Sequence, residues 1–426
     1  DAAPVIFVSG FMGKGPSMGR IERANALQPL QQGRTGDNRA DRAKSAFRAR
    51  ERGGGSGRPS GRRMAPAGWM AALGLAGLLL SSPSHAVPTL PPPDFTIAFI
   101  GDQGLGGGAA LVLQLIASEG ADMVLHQGDL GYSLDAAAWD QRITNALGAD
   151  FPYFATVGNH DCLAAQPGCS GPGDWPDYQS LLQARLDRIP DAHCVGDLGV
   201  NASCDYKGIF FILSGVGTEG SGHETFIANA LAGTDSIWRI CSWHKNHTLM
   251  QAGFKGTEVP LSTYDACRAG GAIIATGHEH SYSRTHLMSS FATQTILGTG
   301  SLLQIGEGQT IAFVSGLAGF SIRPENPARA GNPWWASVYT STQGADHGAL
   351  FCSFNVLGMP DRAHCYFKDV SGVVADEFDL ESIVVPEPGA RALRWAGVAG
   401  LLGLAGARGR RRSPSRGVSG EPIQGV

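Results

Sequence analysis

Five short segments of the chain combine Asp, Asn, His or Tyr with neighbouring glycine or aromatic residues. They are Gly101-Asp102-Gln103-Gly104, Gly128-Asp129-Leu130-Gly131-Tyr132, Gly158-Asn159-His160-Asp161, Trp243-His244 and Gly277-His278-Glu279-His280. Carboxylate, amide and phenol oxygens beside imidazole nitrogens form a mixture of hard and borderline donors. Such a set suits iron, manganese or zinc and poorly suits copper(I). Singly, each segment has an ordinary explanation: Gly-Asp and Gly-Asn-His-Asp suit turns, and a lone His is more often a surface or satisfied polar residue. What joins them is position, because each follows an apolar run with the pattern of a strand. Ligands of open α/β sheets gather beyond the carboxyl ends of strands, where glycine turns let short side chains converge.

The elements that would position these residues alternate. Phe95 to Ile100 has the pattern of a buried strand, Ala109 to Ser118 of a helix, Met123 to Gln127 of a strand, Trp139 to Leu147 of a helix and Tyr153 to Val157 of a strand. Further strands are expected at Ile209 to Leu213, Trp238 to Ser242, Ala272 to Thr276, Thr295 to Leu297, Leu350 to Val356 and His364 to Val370. Alternation of this kind predicts an α/β core. Phe313 to His347, with Trp334 and Trp335, has little regular pattern and is expected to form a rim over the site.

The series GD-x-G, GD-x-x-Y, GNH-D, an isolated His after a strand and GH-x-H resembles the signature of calcineurin-like metallophosphoesterases in its purple acid phosphatase form. The likeness spans roughly residues 94–385. Two details select the subclass: Gly104 stands where the commoner D-x-H opening has its second ligand, and Tyr132 follows Asp129 by three residues. The resemblance implies a four-layer α/β/β/α sandwich of the metallophosphoesterase type. It also implies one metal held by Asp102, Asp129, Tyr132 and His280, and a second held by Asp129, Asn159, His244 and His278, with Asp129 bridging. A phenolate ligand favours a hard trivalent ion, so the implied cofactors are Fe(III) paired with Fe(II), Zn or Mn.

By the same resemblance, a metal-bound hydroxide attacks phosphorus in line. His160 steadies a phosphate oxygen or protonates the leaving group, and Asp161 orients the His160 ring. The expected activity is phosphomonoester hydrolysis. A phosphodiesterase with the same centre is the alternative enzyme, and a catalytically silent extracellular matrix protein is the alternative outside enzymes; an intact ligand set argues against the latter. Several nearby residues are left without a firm role: His247, three residues beyond His244, and Arg284, which could be structural or phosphate-facing within GH-x-H-x-Y-x-R with Tyr282. His126 is expected behind the ligands, and Glu279 points away from its flanking histidines if the segment is extended.

The two ends differ from the middle. Residues 1–63 are rich in Arg, Gly and Ser and have the character of a disordered leader or upstream translated sequence. The stretch Gly10 to Gly19 contains Gly13-Lys14 but continues Gly15-Pro16 where a P-loop needs Ser or Thr. Residues 64–86 have the form of a signal peptide: an apolar run from Trp69 to Leu80, then Ser84-His85-Ala86 for cleavage after Ala86. Arg62 and Arg63 would supply its basic region from an upstream start and leave twin-arginine export open. A Pro-rich linker, 87–93, leads to the catalytic domain at 94–385. Residues 386–412 resemble a PEP-CTERM sorting signal: Pro386-Glu387-Pro388, an apolar segment from about Trp395 to Ala407, then Arg408, Arg410, Arg411 and Arg412. That segment is short for a bilayer and is stopped by arginines that prefer the cytoplasmic side. A disordered tail, 413–426, is expected to follow.

These ends imply signal peptidase and an exosortase-type enzyme as processing partners, transient membrane anchoring, and export to the cell surface or medium of a Gram-negative bacterium. All eight cysteines lie in the middle region and none forms C-x-x-C, which argues against zinc fingers. Local pairing (Cys162 with Cys169, Cys194 with Cys204, Cys241 with Cys267, Cys352 with Cys365) is the simplest of many connectivities for an exported chain. A net charge of −4 over 426 residues, with the arginine excess in the end segments, gives no reason to expect nucleic-acid binding. With 43% hydrophobic and 16% charged residues, the chain is globular in composition.

Overall fold

The structure is a computed structural model and describes residues 89–384. The expected leader, signal peptide, sorting signal and tail lie outside the described residues. Among the described residues no helix is long and apolar enough to cross a membrane.

The chain begins β1 (Phe95–Ile100), α1 (Gly107–Ser118), β2 (Met123–His126), α2 (Ala136–Leu147), β3 (Tyr153–Ala155) and α3 (Trp175–Leu186). It continues β4 (His193–Asp197), β5 (Asn201–Tyr206), β6 (Ile209–Ser214), α4 (His223–Gly233), β7 (Trp238–Trp243), α5 (Leu261–Ala269) and β8 (Ile273–Thr276). Then come β9 (Tyr282–Thr285), β10 (Leu287–Ser290), β11 (Thr295–Gly298), β12 (Leu302–Ile305), β13 (Ala312–Ser315), α6 (Pro327–Ala330) and β14 (Trp335–Tyr339). Three long strands, β15 (Gly348–Phe354), β16 (Arg362–Asp369) and β17 (Val374–Ser382), finish the described chain.

Two mixed sheets result. One has seven strands in the order β12-β17-β16-β15-β1-β2-β3, the other eight in the order β14-β9-β13-β8-β7-β6-β5-β4, and β10 and β11 form a separate pair. β1, β2 and β3 run parallel, as do β6, β7, β8 and β13. Parallel strands buried on both faces are read from unbroken apolar runs such as Phe95–Ile100 and Ile209–Leu213, every residue of which is buried. The sheets meet face to face through aromatic pairs, Phe99 with Phe313, Phe154 with Phe211, and Trp238 with Phe354, whose ring centroids are 4.7–5.2 Å apart. Each such ring removed from water contributes about 1.5–3 kcal/mol. α1, α2 and α3 cover the first sheet, and α4 and α5 cover the second, through a core that includes Ile227, Leu231, Tyr264 and Cys267. The architecture is the α/β/β/α sandwich expected from the sequence.

Four disulfides join Cys162–Cys169, Cys194–Cys204, Cys241–Cys267 and Cys352–Cys365, the local pairing expected. Cys194 and Cys204 face each other across β4 and β5, and Cys352 and Cys365 do so across β15 and β16. Such cross-links are characteristic of an oxidising, extracytoplasmic environment.

The fold corrects two expectations. Residues 313–347 are not irregular throughout: β13 lies between β8 and β9, and β14 caps the edge of the same sheet. The expected strand Thr295 to Leu297 exists as β11 but pairs only with β10, outside both main sheets. At the amino end, Pro91 is buried and its carbonyl accepts a hydrogen bond from Asn355 Nδ2 at 2.7 Å, so the end of the Pro-rich stretch docks on the domain.

Candidate metal centre

Asp102 follows β1, Asp129 and Tyr132 follow β2, and Asn159 and His160 follow β3. From the second sheet, His244 follows β7, and His278 and His280 follow β8. The carboxyl ends of these parallel strands open onto one place, and the turns there are tight. Asp102, Asp129, Tyr132 and His278 have φ of 60°, 59°, 50° and 68°, the left-handed region that side chains other than glycine rarely adopt. Backbone held in this way is paid for by surrounding structure and clusters at functional sites. Gly158 shows how close the approach is: a Cβ there would lie 2.0 Å from the Asp129 nitrogen and 2.2 Å from its Oδ1.

The side chains form two groups of donors. In the first, Asp102 Oδ1 lies 3.0 Å from Tyr132 Oη and 3.2 Å from His280 Nε2, and these last two are 3.2 Å apart. In the second, His244 Nε2 lies 3.2 Å from Asp129 Oδ2, 3.0 Å from Asn159 Oδ1 and 3.1 Å from His278 Nδ1. Asp129, His244 and His278 are all buried. Such separations suit donors around one ion.

The outward nitrogen of each ring is held. His244 Nδ1 donates to the Gln127 carbonyl at 2.7 Å, His278 Nε2 donates to Glu258 Oε2 at 2.7 Å, and His280 Nδ1 meets Ser321 Oγ. Partners of this kind set which nitrogen faces inward and raise its basicity.

The electrostatics call for a cation. Burial by itself would raise the Asp102 carboxyl, yet neighbouring His280 holds it down to about 2. Asp129 is held far down despite burial, chiefly by His244. His244 is pushed up to about 9, because Asp129 outweighs the opposing effect of burial. Asp129 Oδ2 is buried without a hydrogen-bond partner among the described residues, while its Oδ1 accepts the His160 N–H at 2.8 Å. Oδ2 faces His244 Nε2 at 3.2 Å, and a coordinated ion would further offset the cost of burying the carboxylate. The residues present therefore fit a pair of metal ions.

Residues 95–282 match the family of calcineurin-like phosphoesterases. The chain therefore carries a calcineurin-like metallophosphoesterase domain, and that family implies a dinuclear metal centre. No curated protein sequence matches the chain. Among solved structures, a purple acid phosphatase from yellow lupin (Lupinus luteus) seeds is similar with a TM-score of 0.51 at 18% identity, over 68% of this chain and 55% of that one. A structure described as PhoD has a TM-score of 0.46 at 14% identity, over 70% and 71% of the two chains. The anchor in the inner membrane complex of Plasmodium has 0.46 at 13% identity, over 68% and 89%. The lupin likeness establishes the fold, and this chain spans just over half the length of the lupin protein.

All seven residues expected as ligands lie in the two donor groups, and His160 lies beside them. Its ring is 4.6 Å from that of Tyr132, and its Nδ1 donates to the Gly171 carbonyl. Asp161 does not orient the His160 ring, contrary to the expectation. Its carboxylate accepts the N–H groups of Asp129, Leu130 and Gly158 at 2.7–2.8 Å and so ties the second and third motifs together. Burial and then the Asp129 charge push Asp161 up to about 7 against those bonds.

Arg284 is structural: Nε and Nη2 donate to Asp376 at 2.6 and 2.9 Å, where Tyr282 Oη also donates at 2.7 Å. His247 caps a helical turn, its Nδ1 accepting the Leu249 N–H. His126 is fully buried, with neither ring nitrogen partnered among the described residues. Glu279 is buried, its carboxylate 3.8 Å from Arg323 Nη1 and its Oε1 without a hydrogen-bond partner among the described residues.

Sequence reasoning missed Glu258, Ser321 and Phe320. Phe320 stacks on Tyr132 at 3.6 Å between centroids, with its backbone N–H on the Asp102 carbonyl. None of the three sits in a strand-end motif, so no local pattern marks it.

Proposed function

We propose that this chain is an exported phosphomonoesterase whose centre holds Fe(III) beside Fe(II), Zn or Mn. The observation that carries the reading is the pair of buried donor groups at the strand ends, one around Asp102 and one in which Asp129, His244 and His278 lie together. Asp102, Tyr132 and His280 would hold one ion, Asn159, His244 and His278 the other, and Asp129 both. Tyr132 supports the trivalent assignment. Burial and then Asp102 and Asp129 keep its phenol protonated far above the ordinary range, so only a strongly polarising ion would make it a ligand. Two ions there would supply Lewis acidity, polarising phosphoryl oxygens and making water nucleophilic near neutral pH.

The chain's own residues do the rest. His160, oriented by its Nδ1 bond to Gly171, presents Nε2 to hold a phosphoryl oxygen or pass a proton to the leaving oxygen. Asp161 keeps the Asp129 and Gly158 turns in register, and Gln127, Glu258 and Ser321 keep the three histidines in the required orientation. The four disulfides support a site of action outside the cytoplasm, after processing by signal peptidase and an exosortase-type enzyme. Metal analysis of purified protein, alongside hydrolysis of a panel of phosphate mono- and diesters, tests the proposal. Two metals per chain with turnover of monoesters is expected; preference for diesters would favour the phosphodiesterase, and metal-free, inactive protein would overturn both.

A further inference from the structure

The loop between β3 and α3 returns to the motif that it leaves. Beyond Cys162 the chain runs through residues 163–168, all exposed, in two turns. The Gln166 N–H donates to the Leu163 carbonyl at 2.9 Å, and the Cys169 N–H to the Gln166 carbonyl at 3.1 Å. The Cys162–Cys169 disulfide then closes the loop, and three hydrogen bonds follow it onto the motif. The Ser170 N–H donates to the Asn159 carbonyl at 2.6 Å, the Gly173 N–H donates to the His160 carbonyl at 2.8 Å, and the Gly171 carbonyl accepts His160 Nδ1. The approach is close: a Cβ on Gly173 would lie 2.5 Å from the His160 carbonyl oxygen.

The two cysteines are also where this loop meets the hydrophobic core, Cys162 fully buried and Cys169 partly so; no side chain between them belongs to it. An exposed loop without core side chains has many alternative paths, and a covalent link across its base removes most of them. Cys162 lies two residues after His160 and Cys169 two residues before Gly171, so the link sets how the carbonyl of one meets the ring of the other. A carbonyl only accepts, so Nδ1 carries the hydrogen and Nε2 is left to act. The Tyr132 ring, 4.6 Å away between centroids, flanks the imidazole but fixes no tautomer.

We propose that the Cys162–Cys169 disulfide is a positioning device for His160: it holds the Gly171 carbonyl against Nδ1 and so fixes the orientation and tautomer from which Nε2 acts. What Nε2 does rests on the phosphoesterase reading, whereas the placing of the ring does not. Cys194–Cys204 offers the comparison. It also links cysteines close in sequence, with a separation of 10 against 7, but it joins β5 to the edge strand β4.

The test compares Cys162→Ala/Cys169→Ala with Cys194→Ala/Cys204→Ala, each with and without His160→Ala, in metal-replete protein of checked metal content. Loss of Cys162–Cys169 is expected to lower kcat for phenyl phosphate about ten- to a hundredfold with both metals kept, the usual cost of a misplaced catalytic group. With His160 already alanine the same loss should cost less than about twofold, because the effect runs through that ring. Loss of Cys194–Cys204 should change kcat by less than about twofold in either background. The second readout is the His160 Nδ1–H magnetic resonance of zinc-loaded protein carrying nitrogen-labelled histidine, assigned by its absence from His160→Ala. It should be present in the native protein and absent without Cys162–Cys169. A variant that fails to fold is replaced by native protein treated with a water-soluble phosphine, where loss of the resonance should follow cleavage of Cys162–Cys169, mapped by thiol alkylation, and of no other disulfide. Equal kinetic losses in the two His160 backgrounds, or a resonance that survives cleavage of Cys162–Cys169, would overturn the proposal. Absence of turnover by the native protein would count against the phosphoesterase reading, while the resonance still decides the role of the disulfide.

Discussion

Glu258 Oε2 accepts a hydrogen bond from His278 Nε2 at 2.7 Å, and Glu258 Oε1 pairs with Lys245 Nζ at 3.0 Å. The carboxylate thereby leaves His278 Nδ1 facing the donor group around His244. Partners of this kind are typically worth about ten- to a hundredfold in metal affinity. Glu258→Ala is therefore expected to lose the second ion at chelator concentrations that the native protein withstands. Glu258→Gln, whose amide oxygen still accepts the bond, should lose less. Metal content after dialysis against graded chelator is the measurement, and equal retention by Glu258→Ala would show that His278 is held by other means.

Tyr132 should give the iron-loaded protein a visible phenolate charge-transfer band, and Tyr132→Phe should abolish it. Absorption spectroscopy of the iron-replete protein decides this. An active, iron-replete protein with no such band would remove the Fe(III)–tyrosinate assignment and leave a two-metal site standing.

Asp129 and His160 should fail in different ways. Asp129 touches the second donor group directly, so Asp129→Ala is expected to empty the centre as well as abolish activity. His160→Ala should keep both ions and lose about a hundred- to ten-thousand-fold in rate, the usual cost of one positioned acid. Paired metal analysis and kinetics separate the two outcomes, and an Asp129→Ala protein with both metals and most of its activity would contradict the bridging role.

His126 predicts part of the acid sensitivity of the fold. Burial depresses its pKa from the ordinary 6.5 to about 3. Between those values the unfolded chain binds a proton that the folded chain does not. The contribution of His126 is therefore fully present above pH 6.5 and is lost as pH falls toward 3. The slope is at most about 1.4 kcal/mol per pH unit. His126→Phe should flatten it, and urea unfolding of both proteins at pH 7 and pH 5 measures the difference. Equal pH dependence in the two would show that His126 is not buried neutral.

Processing gives a fifth expectation. Mass spectrometry of the protein from its native host should find an amino terminus near Val87 and a carboxyl terminus near Pro388. Full-length chain through Val426 recovered from the cytoplasm would refute export and sorting together.

The sequence by itself marked the residues that the structure gathers at the strand ends. Asp102, Asp129, Tyr132, Asn159, His244, His278 and His280 were legible because a strand end followed by glycine or a buried aromatic is a local pattern, and local patterns survive in one dimension. The same holds for most strands of the two sheets and for the local disulfides, since apolar runs and short separations need no knowledge of the partner. The tertiary structure alone decided what holds those donors. Glu258 reaches His278 across twenty residues and Ser321 reaches His280 across forty-one, from loops with no distinguishing composition. Asp161 stands next to His160 in sequence, yet its carboxylate bonds backbone thirty-one and thirty-two residues away. β9, Tyr282–Thr285, is fully buried although three of its four residues are polar, because β13 and β14 flank it on both sides and Asp376 satisfies Tyr282 and Arg284. A buried polar group is stable only through its partners, and those partners come from chain that is distant in sequence and near only after folding.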